Sequence, residues 1–239
     1  SFLTGILVQE GKLHWNDTVK QLWPGFALQS PGQTKQITIS HVLSHTTGLP
    51  YHTYTNMIEE GLPFDTLLAY LKDVRLVSEP GELYSYQNVG YSIIGKVIEQ
   101  TTGKTYQQQL KEKVFVPLGM NDASTDYMGL LGSGNMAQPH MFKRGKLRPT
   151  IVNDTYYNVS PAGGVNASID DMSKWLIAML GNRQNIINQA TLDSITKPVV
   201  LANSRNRNFY KWKRVKQAYY GLGWRVLRFS TDTLAYHGG

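Results

Sequence analysis

Val89, Ile93, Ile94, Val97 and Ile98 recur at i, i+4, i+5, i+8 and i+9, the repeat of a helix with one face turned into a core. Pro80-Gly81 breaks the chain ahead of that run, and Gly103 offers a C-cap behind it. The segment Tyr84-Ser85-Tyr86-Gln87-Asn88-Val89-Gly90-Tyr91 therefore opens a buried helix. Its Tyr86-Gln87-Asn88 step sits at the N-terminal lip, where polar groups face a cleft.

The other elements follow from the same signals. Ser1 to Glu10 reads as the remainder of an apolar helix that begins before residue 1 and is closed by Gly11. Thr38 to His45 reads as a short helix capped by Ser40 and ended by Gly48-Leu49-Pro50. Phe64 to Leu71 carries helical spacing. Tyr106 to Val114 is a helix stopped at Pro117-Leu118-Gly119, and no periodicity is visible from there to about Ala162. Gly163-Gly164 reads as a structural turn. Ser168-Ile169-Asp170-Asp171 is a capping box for a helix through Leu180, terminated by Gly181. Tyr220, Leu222, Trp224 and Val226 alternate as in one half-buried strand, and Ser230-Thr231-Asp232 turns the chain into a strand from Thr233 to Tyr236. His237-Gly238-Gly239 lies on or just after that strand. The sheet is expected to be cut short there, with an unpaired edge.

Composition narrows the chemistry. With 41% hydrophobic residues in 239 the chain can bury an ample core. No apolar run reaches the ~18 to 20 residues of a membrane span, and Phe2 to Val8 is short and lacks a basic flank, so no span or leader is read in this chain. Zero cysteines exclude disulfides, thiolate zinc sites and a cysteine nucleophile. The net charge of +7 is concentrated in Arg205, Arg207, Lys211, Lys213, Arg214 and Lys216, read as a solvated loop. No helix-turn-helix, zinc-finger or RNP-like pattern accompanies it, and no nucleic-acid partner is expected. His41 and His45 have the four-residue spacing of a metal pair, yet no glutamate lies between them, and a hydrogen-bonded turn is the better reading.

A tyrosine titrates near pH ~10 and becomes a useful base only beside a cation that stabilises its phenolate. A lysine placed next to Tyr86 would let it take the proton of an attacking hydroxyl and return it to a leaving group. Asn88, two residues on, can hold that lysine and a substrate amide through its side chain. Across a cleft, a strand bearing His237, Gly238 and Gly239 lets a substrate backbone approach closely, with the imidazole contacting a carboxylate or assisting proton transfer.

These segments, with Leu43-Ser44-His45-Thr46-Thr47-Gly48-Leu49-Pro50, Pro117-Leu118-Gly119-Met120, Ala162-Gly163-Gly164-Val165 and Tyr220-Gly221-Leu222-Gly223-Trp224, resemble the class C β-lactamase and low-molecular-weight penicillin-binding protein superfamily along essentially the whole chain. The resemblance implies an α/β (α+β) fold of the β-lactamase/transpeptidase-like type: one domain over residues 1–239, mostly helical from about 26 to 215, with the antiparallel sheet portion starting at about 219. It implies catalytic roles for Tyr86, Asn88 and His237, the last opening an H-x-G motif whose Gly238 and Gly239 bind substrate. The serine and lysine of the family's S-x-x-K motif are expected ahead of Ser1, and further strands after Gly239, so the chain is read as truncated at both ends and inactive alone. Ser194-Ile195-Thr196-Lys197 spells S-x-x-K internally, but Pro198 follows it and it falls after the tyrosine, against the family order.

The activity implied is that of a serine hydrolase working through an acyl-enzyme on a β-lactam, a D-Ala-D-Ala peptide or an ester. It needs no metal or organic cofactor, its partner is a small-molecule or peptidoglycan-derived substrate, and its place is periplasmic or extracytoplasmic. Two other readings are kept: a noncatalytic penicillin- or peptidoglycan-recognition module, and a metal-dependent hydrolase, which zinc analysis would test.

Overall fold

A computed structural model describes residues 1–202, 209, 212 and 214–238. Its principal helices are α1 (Phe2–Gln9), α2 (Ile39–Leu43), α3 (Phe64–Tyr70), α4 (Asn88–Thr102), α5 (Tyr106–Leu110), α6 (Ile169–Met179) and α7 (Gln189–Thr196). The strands are β1 (His140–Lys143), β2 (Lys146–Pro149), β3 (Val200–Leu201), β4 (Gln217–Tyr220), β5 (Arg225–Arg228) and β6 (Thr233–Tyr236). β1 and β2 form a separate hairpin, while β3-β4-β5-β6 make one antiparallel sheet in sequence order.

α4 carries the periodicity that the sequence displays. Val89, Ile93, Ile94, Val97 and Ile98 are all buried, and Gly103 ends the helix in the left-handed region at φ 68°. At about 1.5–3 kcal/mol for each fully buried side chain, this one face contributes roughly 8–15 kcal/mol of gross stabilisation before chain entropy is subtracted. The same cluster takes in Leu7 from α1, Leu43 from α2, Leu67 from α3 and Ile195 from α7. A smaller cluster of Val200, Ala202, Phe209, Ala218, Tyr220 and Leu227 lies under the sheet, with Tyr84 and Tyr236 against it.

α6 starts as its capping box dictates: Ser168 accepts from the Asp171 backbone N–H, and Asp171 reaches back to the Ser168 N–H. Elsewhere the chain departs from expectation for identifiable reasons. α2 is capped by Thr38, with His41 closing the box, and not by Ser40, whose hydroxyl donates instead to the Trp15 carbonyl. The helix after Tyr106 ends at Gly119, within the expected Pro117-Leu118-Gly119 stop, but it runs on past Val114. A π-turn over Lys111–Phe115 leads into a last turn, Val116–Leu118, whose first positions need no proline N–H. Tyr220 to Val226 is not one strand: β4 and β5 are joined at Gly221-Leu222-Gly223-Trp224, with Gly223 at φ 87°, so the apparent alternation spans a turn. The stretch without periodicity contains β1 and β2, joined by Arg144 and Gly145 at φ 52° and 76°, the primed-turn geometry that suits strand twist.

The Ser230–Asp232 turn is as expected, with Phe229 N–H donating to the Asp232 carbonyl at 2.8 Å. Of the basic run, Arg205, Arg207, Lys211 and Lys213 lie outside the described residues, as does Gly239. No helix among the described residues is long and apolar enough to cross a membrane.

Candidate active site

The lip of α4 and the end of β6 meet at one cavity of about 140 Å³, lined by His45, Tyr86, Asn88, Tyr91, Pro161, Ala162, Tyr220, Gly223 and His237. Tyr86, Asn88 and His237 are thus brought together from segments far apart in sequence. Gly238 follows His237 but is not among the lining residues; a Cβ built there would come 3.7 Å from Arg225 Nη1. Among the described residues, none that lines this cavity is a serine or a lysine.

Tyr86 is held on both sides by one histidine. The Ser85 N–H donates to the His45 carbonyl at 2.8 Å, and the Gln87 N–H donates to His45 Nδ1 at 3.1 Å. An acceptor role at Nδ1 places the proton of the neutral ring on Nε2. The Tyr86 carbonyl in turn accepts from the His52 N–H at 2.9 Å. His45 sits at φ 58° and His52 at φ 56°, left-handed conformations that cluster where surrounding contacts over-determine the backbone. The His45 ring lies among those of Tyr86, Tyr91, Tyr220 and Tyr84, at 4.4, 5.2, 5.0 and 6.1 Å between centroids. Burial first, then the positive potential of His237, Arg225 and His52, push its pKa down to about 3, so the ring is neutral in the folded protein. The pair His41 and His45 therefore does not share a helix face; His41 caps α2 and His45 staples the Tyr86 segment.

Across the cleft, the Tyr86 and His237 rings stack at 6.2 Å with 28° between planes. Burial raises the Tyr86 pKa, and Arg225 acts against it. Desolvation of the ring first, then the charge of Arg225, lowers the pKa of His237. Both groups are consequently neutral near pH 7, a phenol facing an imidazole. Asn88 is the first residue of α4, and its side chain makes no hydrogen bond to another described residue, leaving its amide free for a ligand. The β4–β5 turn closes the floor: Gly223 N–H donates to the Leu43 carbonyl at 2.9 Å. A Cβ on Gly223 would stand 2.8 Å from Tyr91 Oη, so glycine is what lets the turn and Tyr91 share that space.

Arg225 was not distinguishable in sequence from the other basic residues. Register pairs it with Tyr236, the residue before His237. Its guanidinium lies 5.6 Å from the Phe209 ring centroid and 5.8 Å from that of Tyr236. It forms no ion pair among the described residues, and its Nε is buried without a hydrogen-bond partner. A half-buried cation with no carboxylate partner among the described residues, bearing on Tyr84, Tyr86, His45 and His237, gives the cleft a positive field suited to an anionic group. The internal S-x-x-K lies elsewhere: Ser194 is in α7 with its hydroxyl donating to the Ala190 carbonyl at 2.8 Å, and Lys197 caps that helix.

A family model described as Beta-lactamase matches residues 2–239. Beta-lactamase-like protein 4 of Dictyostelium discoideum is 27% identical over 215 residues, covering 81% of this chain and 37% of that protein. Penicillin-binding protein 4* of Bacillus subtilis is 26% identical over 95% of this chain and 49% of its own length. The chain spans about half the length of such curated relatives. Among solved structures, the octameric penicillin-binding protein homologue from Pyrococcus abyssi superposes with a TM-score of 0.83 at 23% identity, over 99% of this chain and 53% of that one. D-amino acid amidase from Ochrobactrum anthropi gives 0.73 at 20% identity, over 99% and 66%. At these identities the structures establish the fold, which is the expected β-lactamase/transpeptidase-like one.

Proposed function

The chain belongs to the beta-lactamase family, and on that premise we propose that these residues form one wall of a serine acyl-transfer site. The observation that carries the reading is the Tyr86 phenol facing His237 across a cleft that also holds the free amide of Asn88 and the positive field of Arg225. The nucleophile is the serine of an S-x-x-K motif outside the 239 residues, and its lysine is the second cation that Tyr86 needs. Burial alone keeps the phenol protonated; a lysine ammonium added to Arg225 brings the phenolate within reach.

In the reaction, Tyr86 takes the serine proton as the hydroxyl attacks the acyl carbonyl, and passes it to the departing nitrogen or oxygen. Asn88 orients the lysine and the acyl side chain. His237 lines the opposite wall, with Gly238 next to it in the chain, and a substrate carboxylate lies toward Arg225. Water then releases the acyl group. The substrate is a β-lactam, a D-Ala-D-Ala peptide or an ester, met outside the cytoplasm.

The test is pre-steady-state acylation of the natural gene product carrying these residues, with a fluorescent penicillin and an ester. Labelling of a serine in an S-x-x-K motif is expected, slowed by about 10²–10⁴-fold in Tyr86→Phe, the range of a lost general base. A cavity lining without a serine favours one other reading, a module that binds penicillin or peptidoglycan without reacting. Saturable reversible binding with no acylation in the gene product would establish that reading in place of the hydrolase.

A further inference from the structure

The β1–β2 hairpin stands away from the core with all eight strand residues exposed. Register pairs His140 with Pro149, Met141 with Arg148, Phe142 with Leu147 and Lys143 with Lys146. Directly opposed residues share a face and successive ones alternate. One face is therefore His140, Phe142, Leu147 and Pro149, and the other is Met141, Lys143, Lys146 and Arg148. Phe142 and Leu147, paired across the strands, are 73% and 70% exposed. Ile151, two residues past β2, is a further apolar side chain 87% exposed.

The charge is one-sided as well. Between Asp126 and Asp154 there is no acidic residue, while Lys143, Arg144, Lys146 and Arg148 supply four cations. A two-stranded ribbon is marginal in water on its own, and an apolar pair left open on it costs solubility unless something covers it.

We propose that this hairpin docks on an anionic lipid surface. A ribbon with an apolar face and a cationic face has the division of an interfacial amphipathic helix. With Phe142 and Leu147 lying below the phosphates, the ribbon thickness brings Lys143, Lys146 and Arg148 to the phosphate plane, their stems snorkelling to it. The two chemistries together choose the occupant. A polyanion such as nucleic acid answers the cations but leaves the aliphatic Leu147 and Ile151 in water. A second copy would cover the apolar pair but leave Lys143, Lys146 and Arg148, on the opposite face, unanswered. The surface is separate from the Tyr86 cleft, so its occupancy does not depend on the proposed chemistry.

The experiment is co-sedimentation of the 239-residue chain with vesicles of phosphatidylcholine and of phosphatidylcholine mixed with phosphatidylglycerol. Binding to the mixed vesicles is expected, with weak binding to the neutral ones. Each cation near such a surface is worth about fivefold, so Lys143→Ser with Lys146→Ser should weaken binding about 30-fold. Phe142→Ser with Leu147→Ser should weaken it at least about tenfold. Leu180→Ser, which removes an apolar side chain 68% exposed outside the hairpin, should leave it unchanged, as should the far-ultraviolet spectrum of every variant. No sedimentation with anionic vesicles overturns the proposal. So does sedimentation that survives loss of Phe142 and Leu147, the mark of a general polyanion site, or a hairpin-dependent dimer in place of vesicle binding.

Discussion

Replacing His45 with alanine removes the staple that holds Tyr86, and the structure sets the cost. The Gln87 N–H, in a residue that is fully buried, loses its acceptor at Nδ1; an orphaned buried donor costs about 1–3 kcal/mol. The imidazole also vacates a space walled by four tyrosine rings, and aromatic-to-alanine changes in a core cost about 3–5 kcal/mol, the smaller ring falling at the low end. The two effects share atoms and do not add fully, so the expected destabilisation is about 4 kcal/mol. A pH signature separates the ring from mere volume. Its folded pKa of about 3 lies below the ordinary 6.5, so above pH 6.5 neither state is protonated and the full stability is present. As pH falls from 6.5 toward 3, the unfolded chain binds the proton and the native one does not, and stability is lost. The ceiling on that loss is about 5 kcal/mol. Urea unfolding followed by tryptophan fluorescence between pH 4 and pH 7.5 should show a steep dependence in the natural sequence and a shallower one in His45→Ala. His41 and His237, also shifted down, keep a residual slope of the same sign. A loss below about 1 kcal/mol, or an unchanged slope, would refute the reasoning.

Gly48 sits at φ 85°, and a Cβ there would stand 2.5 Å from the Ser78 carbonyl oxygen. Gly48→Ala should cost about 3 kcal/mol from strain and backbone displacement together, read as a lowered thermal midpoint. Ser168→Ala removes the cap of α6 and should lower the urea-derived stability by about 1 kcal/mol. Tyr86→Phe should change stability by less than about 0.5 kcal/mol in the same assay, since its hydroxyl makes no hydrogen bond to another described residue.

The elements legible in sequence were those whose signal is local. The buried stripe of α4 and the Ser168 capping box are written in consecutive residues, and the lip that presents Tyr86 and Asn88 followed from them. β1 and β2 escaped because both faces are exposed, so no apolar alternation marks them, and because their turn is Arg144-Gly145 in place of an asparagine-glycine pair. The break between β4 and β5 was hidden by chance alternation of Leu222 and Trp224, although Gly221 and Gly223 flank the turn. The helix beyond Tyr106 ended at Gly119 as its stop signal says, but ran past Val114 because a π-turn carried it over Pro117, an adjustment with no sequence mark. Arg225 and the stapling role of His45 were illegible for a different reason. Both depend on long-range contacts, the first on β5–β6 register and the second on a bond spanning 42 residues.

The measurement that bears most directly on the central claim is the intact mass of two proteins after incubation with a penicillin: this 239-residue chain, and the natural gene product that carries it. The account predicts no adduct on the chain, and on the gene product one penicilloyl adduct mapping to a serine three residues ahead of a lysine. An adduct on Ser194 of the chain, or none on the gene product with penicillin, ester or D-Ala-D-Ala peptide, would contradict it.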